Sequence, residues 1–224
     1  MIADERMVSF LHSLEEGNTG ILCELEQEAL ASYVPIIRRE TQGLLRLLMA
    51  MKQPARILEV GCAVGFSAIL MAEANPAACR IVTIENYEKR IPIARENFKR
   101  AGRAEQIELL FGDAMELLPT LSGSFDFIFL DAAKGQYLAF LPQLLRLLGP
   151  KGVLVSDNVL QEGEILESRF AVTRRNRTIH KRMREYLYQL THHKELATSV
   201  LPIGDGVTVS VRRCGRQTDG EGMV

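Results

Sequence analysis

Apolar and polar residues follow one another along this chain in a pattern that predicts helices first and a buried sheet afterwards. Apolar residues recur at helical spacing over residues 3–16, 22–33 and 40–52, which predicts three N-terminal helices. From residue 56 onward, short β-rich apolar runs alternate with helical stretches. The runs are Arg56–Val60, Arg80–Ile84, Ile107–Phe111, Phe125–Leu130 and Val153–Ser156. Strands this apolar suit a parallel sheet covered by helices on both faces.

The last third of the chain has a different pattern. A long helical stretch over Thr173–His193 precedes two β-rich runs, Ala197–Ile203 and Val207–Arg212. Gly204-Asp205-Gly206 joins these runs, and Asp-Gly between two β-rich segments is a strong hairpin signal. The sheet is therefore predicted to end with an antiparallel strand.

These elements together predict a Rossmann-like α/β fold in a single domain over residues 1–214. Its sheet has seven mostly parallel strands with an antiparallel C-terminal strand, helices cover both faces, and extra helices lie at the N-terminus. Residues 215–224 are glycine-rich and polar, so they are predicted to be a disordered tail.

Composition narrows the class of protein. The 224 residues carry a net charge of −1 and are 47% hydrophobic and 25% charged, which allows one well-buried core. None of the four cysteines has CxxC spacing, so a zinc knuckle is not expected. The first ten residues lack the apolar stretch of a signal peptide, and the apolar run Leu44–Met51 is short and broken by Arg46. We expect a reduced, cytoplasmic protein without a membrane span.

The turn after the first predicted strand reads LEVGCAVGFSA and contains Gly61 and Gly65. Glycine lets the backbone bend sharply and lets a ligand approach it closely. Dinucleotide-binding enzymes use GxGxxG here, whereas this chain has GxxxG followed by Phe66. The spacing disfavours an NAD-dependent dehydrogenase.

Acidic residues follow the next two predicted strands. Glu85 ends the second strand, where an acid can accept hydrogen bonds from both hydroxyls of a ribose. Gly112-Asp113-Ala114 follows the third strand and is suitably placed to contact an adenine ring. Taken singly, each feature is also explained by an ordinary α/β turn and a surface acid. The ordered set predicts one nucleoside-shaped crevice.

This order of glycine turn, ribose-side acid and adenine-side acid resembles class I S-adenosylmethionine-dependent methyltransferases. The resemblance implies that S-adenosylmethionine is the cofactor. The cofactor-binding residues that it implies are Glu59, Gly61, Ser67, Glu85, Asp113, Ala114 and Asp131.

Oxygen-bearing side chains follow the fourth and fifth predicted strands. Asp131 ends the run FDFIFLD, with Lys134 three residues later, and Asp157-Asn158 ends the run GVLVSDN. Adjacent strand ends share one edge of an open parallel sheet, so two carboxylates and an amide are expected together there. Such ligands suit Mg²⁺, Mn²⁺ or Ca²⁺, although Asp and Asn are also common turn formers. We predict a metal site for Mg²⁺ or Mn²⁺ built from Asp131, Asp157 and Asn158.

The Asp-x-x-Lys and Asp-Asn pairs resemble the catechol and caffeoyl-CoA O-methyltransferase family, over roughly residues 40–212. The resemblance implies that Asp131 and Lys134 are catalytic, with the lysine acting on a substrate hydroxyl that the metal orients. Catechol methyltransferases have a glutamate shortly after a DG pair near the last strand. Here the run is DGVTV, with Thr208 at about that position, which argues against a true catechol substrate.

A basic segment runs from residue 169 to residue 184 without an acid. The helix predicted there also carries an apolar stripe at helical spacing on its other face. Such a segment is often a solvated helix face, but it also suits nucleic-acid phosphates or a coenzyme-A thioester. The residues predicted to bind RNA are Arg174, Arg175, Arg177, Lys181 and Arg182.

The strings VPI (34–36), DAAKGQY (131–137), DNVL (157–160) and PIGDG (202–206) resemble bacterial tRNA 5-hydroxyuridine methyltransferases. The resemblance implies methylation of the wobble base in a tRNA anticodon loop, giving 5-methoxyuridine, and we expect a homodimer, as in many relatives. A splayed base needs an aromatic platform, for which Phe66, Tyr137 and Phe170 are candidates.

Two other functions remain open. One is a small-molecule O-methyltransferase acting on catechol-like or caffeoyl-CoA-like vicinal hydroxyls. The other is a non-catalytic nucleoside-binding or RNA-binding module on the same fold, against which the complete set of metal ligands and lysine argues.

Overall fold

The computed structural model describes residues 4–168 and 170–213. The predicted disordered tail and Arg169 lie outside these residues. The helices are α1 Glu5–Ser13, α2 Gly20–Ala31, α3 Arg39–Lys52, α4 Phe66–Ala74, α5 Ile91–Arg100, α6 Ala114–Leu117, α7 Tyr137–Leu147 and α8 Arg177–His192. The strands are β1 Arg56–Val60, β2 Arg80–Glu85, β3 Ile107–Phe111, β4 Phe125–Leu130, β5 Leu148–Ser156, β6 Leu196–Leu201 and β7 Val207–Arg212.

The strands form one seven-stranded sheet in the order β3-β2-β1-β4-β5-β7-β6. Strands β1 to β5 pair in parallel, and β7 pairs antiparallel with both β5 and β6. The predicted fold is therefore confirmed. The strand order reverses between β1 and β4, and a ligand crevice is expected outside the carboxyl ends of the strands at such a switch point.

Each face of the sheet has its own apolar core. On one face, Leu45 and Met49 of α3 and Ile69 of α4 pack against the sheet. On the other face, Leu144 of α7 and Met183 of α8 do so. Burial on both faces explains why the central strands are apolar along their whole length. No helix among residues 4–168 and 170–213 combines the length and the apolar character needed to cross a bilayer.

Two predicted starts are wrong by several residues: β5 begins at Leu148 and not at Val153, and α8 begins at Arg177 and not at Thr173. The Asn176 backbone N–H bonds the Thr173 carbonyl, which closes a turn, and the Asn176 side chain donates to Glu164. These bonds replace the first helical turn. Arg174 therefore lies in the turn before the helix.

Candidate active site

A crevice of about 460 Å³ opens at the carboxyl ends of the parallel strands. It has the size of a small-molecule site. Most of the predicted site residues line it: Gly61, Ser67, Glu85, Asp113, Ala114, Asp131, Lys134, Asp157 and Asn158.

The glycine turn is needed for close packing as well as for access. Gly61 has a φ of 104°, and a Cβ there would overlap the backbone carbonyl of Asp131. Gly65 has a φ of 86°, and a Cβ there would meet the ring of Phe98. Only glycine fits both positions, because L side chains rarely adopt these angles. The turn therefore brings the end of β1 against the end of β4.

Glu85 holds that turn in place. Its Oε2 accepts a hydrogen bond from the Ala63 backbone N–H at 2.7 Å. Its Oε1 accepts hydrogen bonds from the backbone N–H groups of Asn86 and Tyr87. The carboxylate is nearly buried and faces the crevice. It is thus oriented for a ligand before one arrives.

Glu59 lies behind the crevice and does not line it. The side chain is fully buried and accepts hydrogen bonds from the hydroxyls of Ser67 and Thr83. Burial raises its pKa to about 7, against the lowering effect of these two hydroxyls. Its hydrogen bond with Ser67 connects it to the crevice wall, which Ser67 lines.

Asp113 has a capping role that its sequence context did not reveal. Its side chain accepts a hydrogen bond from the Met115 backbone N–H at 2.8 Å and so caps α6. Asp113 and the adjacent Ala114 also line the crevice wall at the end of β3.

Asp131 and Asp157 lie close enough to affect each other's ionisation. Burial raises the pKa of Asp131, and Lys134 opposes the rise. Burial and the charge of Asp131 together raise the pKa of Asp157 to about 7. The partly buried Asp131 and the buried Asp157, two carboxylates that repel each other beside a lysine, form an electrostatic centre that favours an added cation.

The loop that carries Asp157 and Asn158 is held by the β6–β7 hairpin. The backbone N–H groups of Val159 and Leu160 bond the carbonyls of Gly206 and Asp205 at 2.9 and 3.0 Å. A Cβ on Gly206 would overlap the Leu160 side chain. The sequence indicated a hairpin here but not its contact with the Asp157 loop. The available signal for that contact was the pair of strings DNVL and PIGDG.

The segment between α2 and α3 forms part of the crevice wall, which sequence reasoning missed. Pro35, Ile36 and Arg38 line the crevice. The Arg38 guanidinium pairs with the Glu162 carboxylate at 3.2 Å, so the segment contacts the loop after β5. The VPI string was the available signal, but it gave no position in space.

The basic segment borders the crevice at one point. Arg182 donates a hydrogen bond to the Gly135 carbonyl at 3.0 Å, next to the lysine in the crevice wall. Arg174, Arg175 and Lys181 are exposed, whereas Arg177 is partly buried and donates to the Val172 carbonyl.

Two of the three candidate stacking residues do not reach the crevice. Tyr137 is 0% exposed, and its hydroxyl bonds backbone carbonyls, so the ring is not available to stack on a base. Phe170 is 86% exposed and lies outside the crevice lining, whereas Phe66 does line it. Thr208 is fully buried in β7 opposite Ser156 and also does not line the crevice, so its identity says nothing about the substrate.

Comparisons with known proteins agree with this geometry. A profile of the O-methyltransferase family matches residues 12–213. The catechol O-methyltransferase of Mycobacterium tuberculosis is 37% identical over 161 residues, which cover 70% of this chain and 73% of that protein. That of Niastella koreensis is 39% identical over 127 residues, which cover 55% of this chain and 58% of the relative, less than two thirds of its length. An O-methyltransferase structure from Bacillus cereus in complex with SAH matches with a TM-score of 0.80 at 26% identity, covering 92% of this chain and 96% of that one.

The fold and the crevice define a class I S-adenosylmethionine-dependent methyltransferase. Within that class, the chain belongs to the O-methyltransferase family.

Proposed function

We propose that this protein methylates one of two adjacent hydroxyls on a small aromatic molecule, with S-adenosylmethionine as donor and a divalent cation as cofactor. The observation that carries the proposal is a pair of carboxylates, Asp131 and Asp157, beside Lys134 in one crevice with the acid Glu85. The similar proteins named as catechol O-methyltransferases support this substrate class.

The residues present fit a divalent cation. Asp131, Asp157 and Asn158 offer three hard oxygen donors, the type that Mg²⁺ and Mn²⁺ prefer. Among the residues that the structure describes, no three His, Cys, Asp or Glu side chains form a metal-binding group. The proposed site therefore includes the amide of Asn158, which lines the same crevice as the two carboxylates. A bound divalent cation would lower the pKa of a chelated hydroxyl and fix its orientation.

The chain's own residues supply the rest of the chemistry. The glycine turn and Glu85 would hold the nucleoside of S-adenosylmethionine in the crevice that Asp131, Lys134 and Asp157 also line. Lys134 lines the crevice beside Asp131, and the neutral form of its amine would accept the proton that the hydroxyl loses. The hydroxyl oxygen then bonds the methyl carbon as the carbon–sulfur bond breaks, and S-adenosylhomocysteine leaves.

The test is a methyl-transfer assay with labelled S-adenosylmethionine, a panel of vicinal dihydroxy aromatics and bulk tRNA, with and without Mg²⁺. We expect turnover of a panel member that chelator abolishes and that Asp157→Ala removes. Chelator-resistant turnover contradicts the metal role, and turnover of tRNA alone contradicts the substrate class.

A tRNA wobble 5-hydroxyuridine is the second candidate substrate. The specific observation is that Arg182 contacts the backbone next to Lys134, so the basic segment lies beside the crevice. Exposed Arg174, Arg175 and Lys181 extend this positive surface outward. Reversing the three exposed charges should abolish tRNA methylation and leave binding of S-adenosylhomocysteine unchanged. Normal tRNA methylation by that variant excludes this surface as the RNA site.

A homodimer is also part of the proposal. Every residue of α1 is at least partly exposed, including Met7, Phe10 and Leu11, and Leu14 directly after the helix is exposed as well. An apolar helix face of this kind marks an interaction site. Phe10→Asp should convert a dimer to a monomer in light scattering. A monomeric unmodified protein contradicts this part of the proposal.

We further propose that the protein acts in the cytoplasm. Cys23, Cys62 and Cys79 are free thiols, as is usual in a reducing compartment. Fractionation of cells that express the tagged chain tests this, and recovery from an extracellular or envelope fraction contradicts it.

A further inference from the structure

Two buried tyrosines lie under the strand ends that carry the proposed metal ligands. Tyr137 begins α7 and Tyr186 belongs to α8, and both side chains are fully buried. Their rings meet edge to face with centroids 5.5 Å apart. Apolar packing explains the rings but not the two hydroxyls, because a buried hydroxyl is costly unless it is hydrogen-bonded.

The Tyr137 hydroxyl joins two neighbouring strands through their backbones. It lies 3.3 Å from the carbonyl oxygen of Leu130 and 3.1 Å from that of Asp157, and its single O–H is shared between them. Leu130 is the residue before Asp131, so both carbonyls adjoin a proposed metal ligand. The Asp157 backbone N–H also bonds the Leu130 carbonyl, at 3.0 Å.

We propose that the Tyr137 hydroxyl is a positioning group that ties the ends of β4 and β5 together, so that Asp131 and Asp157 face one crevice before a cation binds. This inference rests on the proposed metal-dependent function. Tyr137 does not touch the substrate or the cofactor; it acts through the backbone. Groups that orient metal ligands in this way commonly change metal affinity by roughly 10- to 100-fold when removed.

Tyr186 provides a matched control. Its hydroxyl is equally buried but bonds the Ser156 side-chain hydroxyl, at 2.6 Å, and not a backbone group at the strand ends. Tyr137→Phe and Tyr186→Phe therefore each delete one buried hydroxyl from the same cluster. A purely structural role predicts similar losses from both.

The experiment measures Mn²⁺ affinity by electron paramagnetic resonance for the purified chain and both variants, with S-adenosylhomocysteine present. We expect Tyr137→Phe to weaken Mn²⁺ binding about tenfold and to lower kcat without changing the affinity for S-adenosylhomocysteine. The Mn²⁺ affinity of Tyr186→Phe should stay within about twofold of that of the unmodified protein. Excess Mn²⁺ should restore the activity of Tyr137→Phe.

Three results would overturn the inference. The first is Mn²⁺ affinity unchanged in Tyr137→Phe, and the second is an equal loss in Tyr186→Phe. The third applies if Tyr137→Phe does not fold. In that case, fast hydrogen exchange of the Asp157 backbone amide in the unmodified, metal-free protein would show that the strand ends are not ordered before a cation binds. If the unmodified protein binds no Mn²⁺, the proposed metal dependence fails first, and the inference falls with it.

Discussion

The two halves of the crevice are built differently. In the half that we propose holds the cofactor, called the cofactor half, the Ala63 backbone N–H of the glycine turn donates directly to Glu85, 22 residues away in sequence. In the substrate half, the contacts join distant segments: Arg38 with Glu162 across 124 residues, and Arg182 with Gly135 across 47. The cofactor half therefore follows from the parallel sheet alone, whereas the substrate half depends on how the N-terminal and C-terminal segments pack on it. Substrate choice should change more easily than cofactor choice.

The sharpest test separates chemistry in the substrate half from binding in the cofactor half. Lys134→Met should lower kcat by roughly 10²–10⁴-fold, because it removes the proton acceptor. The affinity for S-adenosylhomocysteine, measured by calorimetry, should stay within about twofold, since Glu85 and the glycine turn are untouched. Lys194→Met is the control, as it removes an exposed lysine that neither lines the crevice nor belongs to the proposed RNA surface. A small loss in kcat for Lys134→Met contradicts the assigned role.

The next largest effect concerns the pH dependence of folding stability, which we expect from Glu59 in the cofactor half. The folded pKa of Glu59 is about 7 and its ordinary value is 4.5, so between these values the native carboxyl keeps a proton that the unfolded chain has released. Stability should therefore fall as pH rises through this window, by up to about 3 kcal/mol. Glu59→Gln should flatten that slope in urea unfolding at pH 5 and pH 8. An unchanged slope shows that Glu59 is not its source.

A smaller effect is expected at the hairpin that supports the metal loop. Gly206→Ala forces a Cβ against Leu160 at a positive φ, which should lower the free energy of unfolding by about 1–3 kcal/mol. It should also weaken Mn²⁺ binding, because the Asp157 loop moves. Gly163→Ala is the matched control: its φ of 93° is also positive, but its Cβ would meet open space. Equal Mn²⁺ affinities for the two variants argue against support by the hairpin.

The smallest expected effect concerns the contact between the N-terminal segment and the loop after β5. The Glu162 side chain is 69% exposed, so Glu162→Gln should change the free energy of unfolding by less than about 1 kcal/mol. Because Arg38 lines the crevice, the substrate KM should change while kcat stays nearly constant. Glu96→Gln, which removes the exposed pair with Lys99, is the control. If the two variants have equal substrate KM values, the contact between Arg38 and Glu162 does not affect substrate binding.

Most of the site could be predicted because its residues lie at strand ends. Glu85 ends a recognisable apolar strand, Asp131 and Asp157 directly follow two others, and parallel strands bring their carboxyl ends to one edge. The N-terminal segment that carries Arg38 has no such marker. Its place beside the crevice depends on how α2 and α3 pack against α4.

The sequence by itself determined the sheet, the glycine turn and the order of acids along the crevice, because apolar periodicity and strand-end position are local properties. Only the tertiary structure decided which side chains reach the crevice. It placed Glu59 behind Ser67, buried Thr208, and turned the Tyr137 hydroxyl toward two backbone carbonyls. The reason is physical: burial and hydrogen-bond partners depend on segments that meet only when the chain has folded, and no local pattern records those meetings.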